Sequence, residues 1–110
     1  MKKIILSFAL TIFLQTVQAQ KHPSEVIAAR VADKMRDSLG LTLVQRNSVY
    51  NIHIYLYRQK KRVFESFADD AVEGKLQQVE NRRDSFYRHI LSAQQYRQYK
   101  QKKRMLISAN

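Results

Sequence analysis

Along most of the chain, apolar residues recur at intervals of three and four positions, which is the spacing of one face of an α-helix. The pattern begins after a short polar segment. Ser24 can cap a helix that starts at Glu25, and Gly40 stands where a left-handed residue often ends a helix. The sequence therefore predicts a first helix from residue 25 to residue 39. Its buried face consists of Ala28, Val31, Ala32, Met35 and Leu39.

A capping box precedes the second apolar segment. In this motif a Ser or Thr and a Gln three residues later each bond to the other's backbone N–H. Thr42 and Gln45 have this spacing, so we predict a helix from Thr42 to about Phe67. A β-strand is the alternative for residues 49–57, which are rich in β-branched and aromatic side chains. We favour the helix because no turn residues bound this stretch and an isolated strand would leave its backbone unpaired.

If it is helical, the second segment carries two apolar stripes, rotated by roughly a quarter turn from each other. One stripe is enough for an ordinary core, so the second needs either another packing partner or a ligand. The predicted core stripe is Val49, Ile52, Leu56, Val63 and Phe67. The second stripe, with its flanking cations, is the predicted binding surface and consists of Tyr50, Ile54, Tyr57, Arg58, Lys61 and Phe64.

Two further helices are predicted in the second half of the chain. Asp70, with Glu73 three residues later, can cap a third helix that forms an antiparallel hairpin with the second. Ser92 and Gln95 form another capping box, which starts a basic fourth helix. The predicted apolar stripe of the third helix, interrupted by one arginine, is Val72, Leu76, Val79, Arg83, Phe86 and Ile90.

The composition also indicates an all-α domain of about four helices. The 110 residues include two glycines and one proline, which is fewer than an all-β fold with many tight turns needs. The scarcity of glycine also excludes Gly-rich phosphate loops. The chain has no cysteine, which excludes disulfides, thiolate metal sites and a Cys nucleophile. His22, His53 and His89 share no ligand spacing, and the carboxylates cluster at helix starts. We therefore predict that the protein has no catalytic, metal or cofactor site and is not an enzyme.

The first nineteen residues have the pattern of a bacterial export signal. Lys2 and Lys3 precede an apolar run from Ile4 to Leu14, and Ala19 ends a small-x-small cleavage site. The run is too short for a membrane span of ~20 residues. We therefore expect residues 1–19 to be a signal peptide, cleaved after Ala19, and residues 20–110 to form a helical domain in the periplasm.

The formal net charge of +11 indicates acidic partners, or serves to keep a small exported protein soluble. Cations beside tyrosines can attract a partner at long range and then hold it through wide amphipathic contacts. Unfolded or acidic envelope proteins are the expected partners. An anionic lipid or lipopolysaccharide surface is an alternative, and nucleic acid is not expected in a periplasm. The alternative of an anionic surface is based on a basic cluster in the last helix, Lys100, Lys102, Lys103 and Arg104.

The two capping boxes are copies of one pattern. Leu-Thr-x-x-Gln at 41–45 recurs as Leu-Ser-x-x-Gln at 91–95, on either side of a predicted helical hairpin. Over residues 39–104 this arrangement resembles the LTxxQ family of periplasmic proteins, which are also called Spy/CpxP-like. The motif residues that match are Leu41, Thr42, Gln45, Leu91, Ser92 and Gln95.

The resemblance implies an all-helical, cradle-like antiparallel homodimer with a concave apolar and basic surface. It also implies a role as an ATP-independent chaperone or an envelope-stress adaptor. Ser92 replaces the usual Thr of the family and Ala93 stands where Pro is common. The alternative functions are a regulatory module that docks on an acidic sensor domain of a membrane signalling protein, and a binder of anionic lipid or lipopolysaccharide.

Overall fold

The computed structural model describes residues 22–108, which form four α-helices and contain no strand. α1 spans Pro23–Leu39, α2 spans Leu43–Ser66, α3 spans Asp69–Ile90 and α4 spans Ala93–Ile107. α1 packs along α2, α2 and α3 form an antiparallel hairpin, and α4 lies against α1 and α3. The predicted all-α fold of about four helices is confirmed. The predicted signal peptide lies outside the described residues.

α1 begins two residues earlier than predicted and is capped by a different side chain. His22 Nδ1 accepts a hydrogen bond from the backbone N–H of Ser24 at 3.2 Å and lies 2.7 Å from Ser24 Oγ. Ser24 is buried within the first turn, so the prediction that it caps the helix is wrong. Pro23 occupies the first helical position, where its fixed φ suits the helix and its missing N–H would have had no partner.

α1 ends at Leu39, as the position of Gly40 predicts. Gly40 is left-handed, with φ 66° and ψ 44°. The backbone N–H groups of Gly40 and Leu41 both donate to the carbonyl of Arg36, at 2.9 and 3.2 Å. A Cβ at this position would meet no other atom within 4 Å, but a positive φ is strained for a residue with a side chain, so glycine suits the turn toward α2.

Gly40→Ala is expected to lower the free energy of unfolding by about 1 kcal/mol, because alanine resists a positive φ. Gly74 is the matched control, since it lies inside α3 and a Cβ there would meet no other atom within 4 Å. Gly74→Ala is expected to stabilise the protein by about 0.5–1 kcal/mol through helix propensity. Urea denaturation measures both effects, and shifts of the same sign would contradict the role of Gly40.

The hydrophobic core has two parts that share Ile52. The larger part joins all four helices, and the smaller part, made of Leu56, Val63 and Val79, joins α2 to α3. The strand alternative for residues 49–57 is wrong, because this stretch is helical throughout. The buried members of the larger part are Val31, Ala32, Met35, Leu39, Leu41, Val49, Tyr87, Leu91, Tyr99 and Leu106.

The predicted core stripe of α2 is correct except at its end. Val49, Leu56 and Val63 are buried, and Ile52 packs against both parts of the core. Phe67, however, is 41% exposed. α2 ends at Ser66, so Phe67 lies in the turn and leaves the helical face that the spacing assigned to it.

α3 differs from its prediction at both ends. Its N-cap is Ala68, which has no capping side chain, while Asp69 and Asp70 lie in the first turn. The prediction of Asp70 as the cap is therefore wrong, although both carboxylates still suit the positive end of the helix. Near the C-terminus Tyr87 is fully buried and Phe86 is 37% exposed. α3 contacts both α2 and α4, so its buried face cannot follow a single heptad stripe.

Both predicted capping boxes are confirmed. Thr42 Oγ1 accepts from the N–H of Gln45 at 3.1 Å, and Gln45 Oε1 accepts from the N–H of Thr42 at 3.0 Å. Ser92 Oγ and Gln95 Oε1 make the same pair of bonds, at 3.1 and 2.9 Å. Each box satisfies two backbone donors that the start of a helix leaves unpaired.

The two boxes, 50 residues apart in sequence, meet in space. Gln45 Nε2 donates to Gln95 Oε1 at 2.8 Å and to the carbonyl of Ile90 at 3.0 Å. Gln95 Nε2 in turn donates to the carbonyl of Gly40 at 3.4 Å. Leu41, one residue before the first box, is buried in the larger core, as is its counterpart Leu91. We call this arrangement the glutamine junction; it ties the α1–α2 turn to the α3–α4 turn.

Candidate functional site

A groove of about 620 Å³ lies between the N-terminus of α1 and the outer face of α2. We call it the α1–α2 groove. Five of the six residues of the predicted binding surface line it, and the remaining lining residues come from the start of α1 and from two positions on α2. The five are Tyr50, Ile54, Tyr57, Arg58 and Lys61, and the others are His22, Ser24, Glu25, Asn51 and Tyr55.

Helical spacing brings these α2 side chains to one side of the helix, rotated away from the core stripe. Ile54 and Tyr50 are half-buried, while Tyr57 is 39% exposed. The first turn of α1 closes one end of the groove, where the ring of His22 meets the ring of Tyr57 edge-on with centroids 6.4 Å apart. The second stripe of α2 is therefore only partly covered by another helix.

The α1–α2 groove combines aromatic, aliphatic and cationic contacts. Arg58 and Lys61 are exposed, and neither forms an ion pair within residues 22–108. Among the described residues of the lining, Glu25 is the one that is acidic. A tyrosine can contact an apolar segment with its ring and a polar group with its hydroxyl. The groove can therefore bind extended apolar segments that carry negative charge, without requiring one fixed shape.

Phe64, the sixth residue of the predicted surface, lies elsewhere. Its side chain is 64% exposed and lines a separate depression between α2 and α3, together with Lys60 and Glu73. The start of α1 contacts α2 at Tyr57, two helical turns before Phe64. The groove that α1 creates therefore does not extend to this residue.

Five lining residues were not part of the predicted binding surface: His22, Ser24, Glu25, Asn51 and Tyr55. His22, Ser24 and Glu25 lie at the start of α1, before its apolar pattern begins, and their place in the groove depends on how α1 packs against α2. Tyr55 falls between the two apolar stripes and pairs edge-on with Phe86 of α3, with ring centroids 5.8 Å apart.

The basic cluster at residues 100–104 is partly neutralised. Lys100 Nζ and Lys103 Nζ both pair with Asp84, at 3.2 and 2.9 Å. Tyr99 donates its hydroxyl proton to the same carboxylate at 2.8 Å, and burial together with this bond raises the pKa of Tyr99. Of the cluster, Lys102 and Arg104 remain exposed without ion pairs among the described residues.

A buried arginine lies at the centre of a second charged cluster, on the hairpin. Arg83 is 3% exposed and donates to Glu80 at 3.1 Å, while Lys60 Nζ pairs with Glu80 at 2.8 Å. Burial acts to raise the pKa of Glu80, but the bonds from Lys60 and Arg83 outweigh it and lower that pKa to about 2. Glu80 therefore carries its charge throughout the physiological range and balances the buried guanidinium.

His53 faces the same cluster. Arg83 Nη1 lies 3.3 Å from His53 Nδ1, and because arginine can only donate, this nitrogen must be the acceptor of a neutral imidazole. Burial, followed by the charges of Arg83 and Lys60, lowers the pKa of His53 from 6.5 to about 4, with Glu80 acting weakly in the other direction.

We expect the lowered pKa of His53 to make stability depend on pH. Between pH 6.5 and about 4 the unfolded chain takes up a proton at this position and the folded protein does not, so the free energy of unfolding falls as the pH falls. His53→Gln keeps an acceptor for Arg83 and should flatten the dependence between pH 6.5 and 5. Urea denaturation across this range measures it. The control His89→Gln, at an exposed site, should leave the slope unchanged; equal slopes in all three proteins would contradict the prediction.

Residues 22–108 hold no group of three or more His, Asp or Glu side chains arranged for a metal ion. In the same range no helix has the length and apolar character needed to cross a membrane. Comparison with known proteins gives no match to any family model, curated protein or solved structure. The likeness to the LTxxQ family therefore depends on the two capping boxes and their setting in the chain.

Proposed function

We propose that this protein is a periplasmic, ATP-independent chaperone, and that it binds exposed segments of unfolded envelope proteins in the α1–α2 groove. One observation carries the proposal. The groove places Tyr50, Ile54 and Tyr57 on an open surface, beside two cations, Arg58 and Lys61, that form no ion pair within residues 22–108. The export signal and the paired motifs of the sequence support the same function.

The proposed mechanism has two stages. The excess of positive charge attracts acidic or partly unfolded chains at long range, and salt weakens this attraction. The tyrosines and Ile54 then hold apolar segments by contacts that are wide but individually weak. Because the groove is open, a bound segment can leave when it folds, and no nucleotide is needed to release it.

We propose further that the active form is a cradle-like antiparallel homodimer. Nine large apolar side chains of the described chain remain exposed, among them Leu43, Val44 and Met105. A second copy would cover part of this surface, since a small single core rarely provides ample stability alone. Small-angle scattering that gives an elongated, curved dimer would support this proposal, and a compact monomer at micromolar concentration would exclude it.

Light scattering from a thermally unfolding client tests the chaperone function. At a stoichiometric amount the protein should suppress aggregation, more strongly at low salt than at high salt. No suppression at low or moderate salt would exclude the proposal. Several unrelated clients should be used, because breadth separates a chaperone from a protein with one dedicated partner.

Tyr57→Ser is expected to weaken the suppression of aggregation several-fold, because it removes the ring at the closed end of the α1–α2 groove. Phe64→Ser is the matched control, since it removes a more exposed aromatic ring that lies outside this groove. Circular dichroism should give the same helicity for both variants. If Phe64→Ser had the larger effect, the client-binding surface would lie on the hairpin and not in the groove.

The second candidate function is a regulatory module that docks on an acidic sensor domain of a membrane signalling protein. The unpaired cations at Arg58 and Lys61 favour it, because they can donate to carboxylates on a folded surface. A pull-down from periplasm that gives one saturable acidic partner, combined with no activity on unfolded clients, would favour this function over the chaperone.

A further inference from the structure

A second groove lies on the α2–α3 hairpin, and the proposals above do not use it. We call it the hairpin groove. It has a volume of about 360 Å³, and its lining includes Val63 and Val79, which are buried, and Phe67, which is partly exposed. Its polar lining consists of Gln59, Ser66 and Gln78 together with three cations, Arg62, Lys75 and Arg82.

The positive charge of the hairpin groove is uncompensated. No acidic residue lines it, and within residues 22–108 none of its three cations forms an ion pair. The acidic residues of the adjoining part of α3, Glu73 and Glu80, line the depression on the other side of the hairpin. The three cations therefore have no acidic neighbour within the lining of the hairpin groove.

Contacts within the groove hold two of these cations in place. Lys75 Nζ lies 5.0 Å from the centroid of the Phe67 ring, and Arg82 Nη1 donates to Gln59 Oε1 at 3.3 Å. A guanidinium bonded to a neutral amide keeps its full charge and several free N–H donors. The cations are therefore available to a ligand with several acceptor oxygens.

We propose that the hairpin groove binds the phosphate headgroup of an anionic phospholipid. A phosphate offers several charged oxygens, which suit two arginines and a lysine better than a single carboxylate does. Val63, Val79 and Phe67 give apolar contacts for the part of the lipid next to the phosphate. This combination of basic and apolar groups is typical of proteins that dock on an anionic membrane surface.

The geometry of the hairpin determines how it would meet the membrane. Asp69 and Asp70 are exposed in the first turn of α3, and they would be repelled if the tip pointed at an anionic surface. Contact therefore occurs through the side of the hairpin that carries Arg62 and Arg82. The C-terminal basic cluster is a weaker site, because Lys100 and Lys103 are already paired with Asp84.

Sedimentation with vesicles tests the proposal. The experiment uses residues 20–110, the protein without its predicted signal peptide. Vesicles of phosphatidylglycerol and phosphatidylcholine should bind it in a salt-dependent manner, and vesicles of phosphatidylcholine alone should not. The test variant is the double substitution Arg62→Gln and Arg82→Gln. The matched control is Lys102→Gln with Arg104→Gln, which removes the same charge from α4.

Each basic residue near an anionic surface contributes roughly fivefold to binding, so the test variant should bind about 20- to 30-fold more weakly. The control should lose less than about threefold. Equal losses in the two variants, or equal binding to vesicles of phosphatidylcholine alone, would overturn the proposal. Unchanged helicity by circular dichroism excludes misfolding, and Arg62→Lys with Arg82→Lys should restore most of the binding.

An acidic, apolar peptide is the competing ligand. Suppose that such a peptide binds the protein and that the test variant no longer binds it but still sediments with phosphatidylglycerol vesicles. The groove would then be a peptide site, and the lipid proposal would fail. The lipid proposal is independent of the chaperone function, because Tyr57→Ser should leave vesicle binding intact. Failure of one proposal can therefore be distinguished from failure of the other.

Discussion

Glu80→Gln is expected to lower the free energy of unfolding by about 2–4 kcal/mol, because it leaves the buried guanidinium of Arg83 without a counter-charge. Removing one partner of a buried ion pair typically costs about 3–5 kcal/mol, and the partial exposure of Glu80 reduces that figure. Lys60 and Lys103 also lose their contacts with this carboxylate, at 2.8 and 3.6 Å. Urea denaturation at pH 7 measures the change.

Glu73→Gln is the control for this substitution. Glu73 lies on the same helix and is exposed, without an ion pair among the described residues. Its substitution removes the same charge as Glu80→Gln. Its replacement should change the free energy of unfolding by less than about 0.5 kcal/mol. Similar losses in the two variants would show that overall charge, and not the pairing of Arg83, sets stability.

The same residue gives a signature in acid. The pKa of Glu80 is lowered from 4.5 to about 2, so its stabilising contribution is complete above pH 4.5 and is lost as the pH falls toward 2. The Glu80→Gln variant has no carboxylate to protonate at this position. Its stability should therefore fall less steeply between pH 4.5 and 2 than that of the unsubstituted protein.

Gln95→Ala is expected to lower the free energy of unfolding by about 2–3 kcal/mol, because one side chain serves two purposes in the glutamine junction. Its Oε1 caps α4 through the N–H of Ser92 and accepts from Gln45 Nε2, while its own Nε2 reaches the carbonyl of Gly40. Loss of a cap costs about 1 kcal/mol, and each further hydrogen bond contributes about 0.5–1.5 kcal/mol. Chemical denaturation followed by circular dichroism measures the loss.

Gln101→Ala is the control, since Gln101 is exposed on the same helix and should change stability little. The double variant of Gln45→Ala and Gln95→Ala provides a sharper test. Because the two side chains bond to each other at 2.8 Å, the combined loss should be smaller than the sum of the single losses, by about 1 kcal/mol. Strict additivity would mean that the two capping boxes act independently.

Local chemistry made much of this fold predictable. Thr42 with Gln45 and Ser92 with Gln95 start their helices as predicted, because a capping box depends only on residues within four positions of one another. Gly40 ends α1 for a similar reason, since its left-handed φ is a property of a single residue. Five of the six predicted binding residues share one groove because helical spacing gives them a common face, beside which the start of α1 lies.

The incorrect predictions have a different cause, which is that they depended on neighbours far away in sequence. Tyr87 replaces Phe86 in the core because this end of α3 also packs against α4, where the rings of Tyr87 and Tyr99 have centroids 4.9 Å apart. Phe64 misses the α1–α2 groove because α1 does not reach it. The cap of α1 is an exception, because this error is local: His22, and not Ser24, caps the helix, and Pro23 occupies its first position.

The hairpin groove could not be predicted for the same reason. Arg62 comes from α2, whereas Lys75 and Arg82 come from α3. Which cations face one another depends on the register of the antiparallel hairpin, fixed by the turn at Phe67 and by contacts such as that of Arg82 with Gln59. The sequence shows only that the chain is basic. The fold determines which cations form ion pairs and which, like those of the hairpin groove, do not.

The glutamine junction also has a consequence for motion within the molecule. The junction and the larger core secure the base of the α2–α3 hairpin. The distal half has the smaller core, in which Leu56, Val63 and Val79 are buried and Val72 and Leu76 are partly buried. Regions with few buried contacts open at lower cost than the global unfolding free energy. We therefore expect the protein to be most rigid where its two turns meet, and the far end of the hairpin to open locally while the rest of the fold stays intact.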